Sequence, residues 1–203
     1  MSDQQVDSGK RTWIIASSCA GVVGGGFVAV PFVSTFQPSE RARAAGAPVE
    51  VDISGLKDGE KMTVEWRGKP VWIIKRTAAQ MAALPKLDDQ LADPDSKRKA
   101  DEITPTYARN GHRSIKEHEQ ILVVVGICSH LGCSPSDKFQ AGPQPSLPDS
   151  WAGGFLCPCH GSTFDMAGRV FKNKPAPDNL EVPPHMYLSA TRLVIGEDKN
   201  TKA

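Results

Sequence analysis

Two short stretches decide the reading of this chain: "CSHLGC", Cys128 to Cys133, and "CPCHGS", Cys157 to Ser162. Between them they hold four of the five cysteines and two of the five histidines. In an extended loop residues i and i+2 project to the same side, so Cys128 and His130 can reach one ion or cluster. A tight turn does the same for Cys157 and His160. Two thiolates with two imidazoles suit a tetrahedral zinc, and they equally suit a [2Fe-2S] cluster with both cysteines on one iron and both histidines on the other. Spacing alone leaves both open. Cys133 and Cys159 remain over, one thiol per box.

Outward from the boxes, "ILVVVGI" (Ile121 to Ile127) reads as a buried strand that runs directly into the first of them. "VEVDISGL" and "KMTVEWRGKPVWIIKR" alternate as strands around a Gly-Lys-Pro turn, and "RLVIGED" closes the domain as a final strand. "TAAQMAALPKLDDQLADPDSKRKADE" is the one stretch suited to short helices, interrupted at Pro85 and Pro94. From Ser134 to Trp151 the chain is a Pro/Gly/Ser-rich loop. Sixteen prolines and eighteen glycines in 203 residues fit a loop-rich, mainly β domain beginning near Val49. Lys and Arg number 24 against 23 Asp and Glu, which leaves no basic footprint for nucleic acid.

The N-terminal part is of another kind. From Trp13 to Phe36 there is no charged side chain, and a helix of that length covers about 36 Å, enough to cross a hydrocarbon core of about 30 Å. Lys10 and Arg11 precede it and place residues 1–12 on the cytoplasmic side. A cleaved secretory signal is the alternative, with "ARAAGA" supplying small residues for cleavage, but the apolar run exceeds a usual signal core. Ser17, Gly21, Gly25 and Ala29 form a smooth stripe on one helix face, and Cys19 within the span reads as a small packing residue. "QPSERARAAGAP", residues 37–48, is polar, Ala-rich and bracketed by prolines, as a flexible hinge would be.

Taken together, the boxes, the anchor, the Ala-rich hinge, "ARNGHRSIK" before the buried strand and "KPAPDNLEVPP" after the second box resemble the Rieske iron-sulfur proteins of quinol:cytochrome c oxidoreductases, the cytochrome bc complexes. The insert from Ser134 to Leu156 resembles the bacterial members, and "GKRTWII" looks like a twin-arginine export signal with Lys10 in place of the first arginine. The resemblance implies a mainly β fold: a Rieske-type antiparallel sheet domain over residues 49–203, with a small cluster-binding subdomain whose loops lie around 128–133, 157–162 and 173–177, behind one transmembrane anchor at 13–36. It implies one [2Fe-2S] cluster held by Cys128 and Cys157 on the inner iron and His130 and His160 on the outer iron, with Cys133 paired to Cys159 in a disulfide.

It further implies that Leu131 shields the cluster tip, that Gly132 and Gly161 permit the loop turns, that Pro175 belongs to a third covering loop, and that Ser162 donates to a cluster sulfur. Phe164 stands where many relatives carry a second donor, a tyrosine. The implied activity is one-electron transfer from membrane quinol, met by His160 and His130, to a c-type cytochrome. The implied setting is a dimeric, proton-translocating complex with cytochrome b and a c-type cytochrome subunit, in a bacterial inner membrane with the cluster domain on the periplasmic side. A Rieske-type oxygenase component and a structural zinc module are the other classes; the first generally lacks the extra cysteine pair, and the second lacks redox chemistry. His112, His118 and His185 are expected to be surface or hydrogen-bonded residues, and Asp165 and Arg169 a local pair serving loop structure.

Overall fold

A computed structural model describes residues 7–40, 44 and 46–198. The chain divides near Ala44 into an N-terminal unit and a head. Helix α1 (Ser8–Thr35) forms the first, capped by the Asp7 carboxylate, which accepts from the amides of Gly9 and Lys10. None of its residues is buried. Its 28 residues are long and apolar enough to cross a membrane. The helix begins five residues before the expected anchor. Of the expected hinge, residues 41–43 and 45 lie outside the described residues, while Glu40 and Ala44 have helical backbone.

The head is built from three antiparallel sheets of three strands each. Strands β1 (Val49–Asp52), β9 (Arg192–Ile195) and β8 (His185–Tyr187) form one sheet, in that order. Strands β2 (Lys61–Trp66), β3 (Lys69–Lys75) and β4 (Ile121–Val125) form the second. Strands β5 (Ser136–Lys138), β6 (Gly154–Leu156) and β7 (Thr163–Asp165) form the third. The β2–β3 turn falls at Arg67 and Gly68, both at positive φ, so Pro70 lies inside β3 opposite Glu65 rather than in the turn. Helix α2 (Ala78–Ala83), capped by Thr77, runs into a 3-10 turn at Leu84–Gln90, and helix α3 spans Ala100–Ile103.

The central wall is β3 with β4. Side chains alternate across a strand, and here both faces are covered. Val71, Ile73, Val123 and Val125 pack toward one core with Val51, Trp66, Leu193 and Ile195. Trp72, Ile74, Leu122 and Val124 pack toward the other with Phe155, Phe164, Cys128 and Cys157. Every residue of β4 is therefore buried, and its sequence shows no polar alternation. Each such aliphatic side chain contributes about 1.5–3 kcal/mol on burial. Trp72 stacks on Phe155 with ring centroids 5.1 Å apart, tying the wall to the sheet that carries the second box. A β-carbon on Gly126 would collide with the Trp72 ring, so the chain leaving β4 passes over this side chain only as glycine. Lys61 and Asp137 add an ion pair at 2.6 Å between β2 and β5.

Candidate metal centre

The two boxes close as loops with one hydrogen-bonding frame. In the first, the amide of Cys128 donates to the carbonyl of Cys133 at 2.8 Å, and that of Gly132 to the carbonyl of Cys128 at 3.1 Å. In the second, Cys157 donates to Ser162 at 2.7 Å and Gly161 to Cys157 at 3.0 Å. The fifth residue of each is a glycine at positive φ, +83° for Gly132 and +72° for Gly161. Nothing lies within 4 Å of a β-carbon at either position, so backbone conformation alone selects glycine here. The second loop joins β6 to β7 as a hairpin; the first leaves β4 and leads to β5.

The frame sorts the side chains by depth. Cys128 and Cys157 are each 2% exposed, His130 is half-buried and His160 is exposed. The two imidazole rings meet edge to face at 4.7 Å between centroids. Burial pushes the Cys128 thiol up, aided by the neighbouring Cys157 thiol and opposed by hydrogen bonds from the His130 amide and the Ser162 hydroxyl. Cys133 and Cys159 form a disulfide across the loops. Their sulfurs lie within 4.8 Å of that of Cys157, but two of those three atoms are consumed in the bond. The donors left free are two buried thiols and two outer imidazoles, a set that fits a [2Fe-2S] cluster with His on one iron.

A third segment covers the loops. The Ser162 Oγ accepts from the Ala176 amide at 3.0 Å, and the Ser129 Oγ donates to the Asp178 carbonyl at 2.6 Å. Pro175 is exposed beside buried Ala176, and Leu131 stands 72% exposed at the tip of the first loop. Phe164 is fully buried in the same core as Cys128 and Cys157. Ser129 and Trp72 were not singled out by the sequence, because each acts on a partner tens of residues away with no local pattern to mark it.

Of the other histidines, His112 lies 3.7 Å from the Glu119 carboxylate and His118 stacks on Tyr187 at 3.7 Å. His185 is buried rather than superficial: its Nδ1 faces the Pro183 carbonyl at 2.8 Å, its amide donates to the Tyr107 hydroxyl, and burial pushes its pKa down to about 4. Asp165 and Arg169 do pair, at 2.7 Å and fully buried.

A family profile for the Rieske [2Fe-2S] domain matches residues 101–184. The ubiquinol-cytochrome c reductase iron-sulfur subunit of Allochromatium vinosum is 50% identical over 202 residues, covering 99% of this chain and 95% of that one. The subunit of the same name from Bradyrhizobium diazoefficiens is 40% identical over 183 residues, 90% of each chain. Among solved structures, a chain of a hyperthermophilic respiratory complex III aligns with a TM-score of 0.44 at 24% identity, covering 88% of this chain and 97% of that one. At 50% identity over nearly the full length of both chains, this protein belongs to the family of Rieske iron-sulfur subunits of ubiquinol-cytochrome c reductase.

Proposed function

We propose that Cys128 and Cys157 bind the inner iron and His130 and His160 the outer iron of a single [2Fe-2S] cluster, through which the chain passes electrons one at a time from membrane quinol to a c-type cytochrome. The observation that carries this is the depth order of the site: two buried thiols inside and two touching imidazoles outside, on loops of one shared frame. When bound, the cluster supplies a one-electron acceptor whose neutral imidazole ligands raise its potential toward that of quinol. The exposed His160 offers an imidazole nitrogen to the quinol hydroxyl and holds its proton there. Leu131, exposed at the tip of the first loop, gives the quinol ring an apolar surface and keeps water from the tip. The buried cysteines exclude water from behind, and the disulfide holds the loops together.

In this reading α1 anchors the chain beside cytochrome b in a dimeric complex, with Lys10 and Arg11 on the cytoplasmic side and the head on the periplasmic side. The head travels between quinol and cytochrome on the segment 37–48. Replacing Ala42 and Ala45 with proline then slows turnover of the assembled complex and leaves the cluster spectrum unchanged; equal turnover reduces the segment to a tether. The ligand assignment is tested by metal analysis and EPR of the full chain. Two irons per chain and a rhombic low-g signal on reduction are expected. Zinc in place of iron, or the spectrum of an all-cysteine cluster, overturns it.

A further inference from the structure

Three arginines are sealed inside the head: Arg76 and Arg113 are 0% exposed and Arg169 is 1% exposed. All three converge on the turn that follows β7. Arg76 donates to the Met166 carbonyl at 3.2 Å, Arg113 to those of Ala167 and Gly168 at 3.2 Å each, and Arg169 to the Asp165 carboxylate at 2.7 Å. This turn starts three residues after Ser162 and pairs, through Asp165, with Gly154, three residues before Cys157. At about 3.3 Å per strand residue, that places the turn held by the cations roughly 10 Å behind the cysteine loops.

Three buried cations face two buried carboxylates, Asp165 and Asp93, while the two further carboxylates near them, Asp88 and Glu119, are about half-exposed and screened by solvent. Asp93 spends its oxygens on the amides of Lys97 and Arg98, and Asp165 shares one of its own between the amides of Ala167 and Arg169. Arg169 also reaches the half-exposed Asp88 at 2.8 Å. Arg76 and Arg113 pair with no carboxylate among the described residues. Arg76 donates otherwise to the carbonyls of His112 and Glu119 and the Ser114 hydroxyl, and Arg113 to the Leu180 carbonyl and the Thr104 hydroxyl. The Nε of both is buried without a hydrogen-bond partner among the described residues. Burial lowers each to about 10, so both stay protonated at neutral pH.

We propose that Arg76, Arg113 and Arg169 form a buried positive field behind the cysteine loops that favours the reduced state of the site and holds its midpoint potential up. Adding one electron makes the site more negative by one charge, and a fixed cation at this range stabilises that charge. A unit charge at about 10 Å through an effective dielectric of about 20 changes the reduced-to-oxidised ratio on the order of tenfold. The field acts where the second side-chain donor is missing, since Phe164 has no hydroxyl. This inference rests on the proposed ligand set.

The test is a mediated redox titration of the full chain in detergent, followed by EPR. Arg113→Gln is expected to lower the reduced-to-oxidised ratio about tenfold, or about 59 mV for a one-electron couple, while Arg113→Lys, which keeps the charge, shifts it far less. Asp88→Asn, a half-exposed change, removes a negative charge beside Arg169 and is expected to raise the ratio about two- to threefold, less so in high salt. If Arg113→Gln fails to fold, Asp88→Asn decides alone. An unmoved or lowered potential in Asp88→Asn with the rhombic signal intact overturns the proposal, as do equal shifts in the Lys and Gln variants. Loss of the rhombic signal in the unaltered protein indicts the ligand set instead.

Discussion

Position by position, the two Cys/His loops agree at the first residue, cysteine, and the fifth, glycine, and differ at the second, Ser129 against Pro158, and at the third, fourth and sixth. The third positions are His130 and Cys159, the fourth Leu131 and His160, the sixth Cys133 and Ser162. The shared positions make the backbone frame; the others distribute chemistry over it. Each sixth residue reaches beyond its own loop: Cys133 bonds to Cys159, and the Ser162 hydroxyl accepts from the Ala176 amide of the covering segment. A pair of similar loops thus becomes one asymmetric site, with the exposed imidazole coming from the second loop.

The sharpest break in this comparison lies in the proposed ligands. Cys128→Ser and Cys157→Ser remove the same position of the same frame and are expected to abolish cluster assembly equally, as is His160→Ala. Leu131→Ala, at the position matching His160, leaves the cluster in place. Iron content and the EPR signal report each outcome, and a full cluster complement in His160→Ala would show that the fourth position of the second loop is not a ligand.

Next comes the tie between the loops. Cys133 and Cys159 are 26 residues apart, and closing a loop of that size in the unfolded chain is worth about 3 kcal/mol. Cys133→Ala is expected to lower the melting temperature of the head by about 6–12 °C and to hasten cluster loss. A melting curve that does not move would mean that packing alone holds the loops together.

Smaller still is the cost of the shared turns. An alanine forced to positive φ costs about 1–2 kcal/mol, and no neighbour obstructs either β-carbon. Gly132→Ala and Gly161→Ala should therefore destabilise the head by similar amounts in denaturant titrations. A much larger effect at one of them would show that only that loop is held rigid by its frame.

What the sequence made legible was local. The boxes, the fully apolar β4 and the uncharged stretch within α1 each carry their signal inside a few residues. The Gly-Lys-Pro turn expected after β2 falls slightly earlier, at Arg67 and Gly68, and Pro70 occupies the strand opposite Glu65. Depth was harder. His185 and the three arginines were not placed in the interior, since such residues are mostly exposed and only partners 36 to 90 residues away make their burial possible for Arg76. The hooks of the third segment, Ser129 to Asp178 and Ser162 to Ala176, are single hydrogen bonds between distant residues, and no spacing announces them.

The finest test addresses what differs at the seam of the loops. The Ser162 hydroxyl on the second loop acts to lower the pKa of the Cys128 thiol, while Phe164, fully buried in the core that contains both cysteines, offers no hydroxyl. Donors to sulfur favour the more negative reduced state. A hydrogen bond to a charged group is worth about 1.5–3 kcal/mol, and only the part that differs between oxidation states moves the potential. A third of that energy corresponds to about 20–45 mV for a one-electron couple. Ser162→Ala is expected to lower the midpoint potential by that much, with the cluster retained. Phe164→Tyr places a hydroxyl where it must find an acceptor or remain buried and unpaired at a cost, and the cysteine sulfurs are acceptors within that core. Its potential is expected to rise by a similar amount. Protein-film voltammetry on both variants reads the two shifts, and an unmoved or lowered potential in Phe164→Tyr would show that the ring edge points away from the ligand sulfurs.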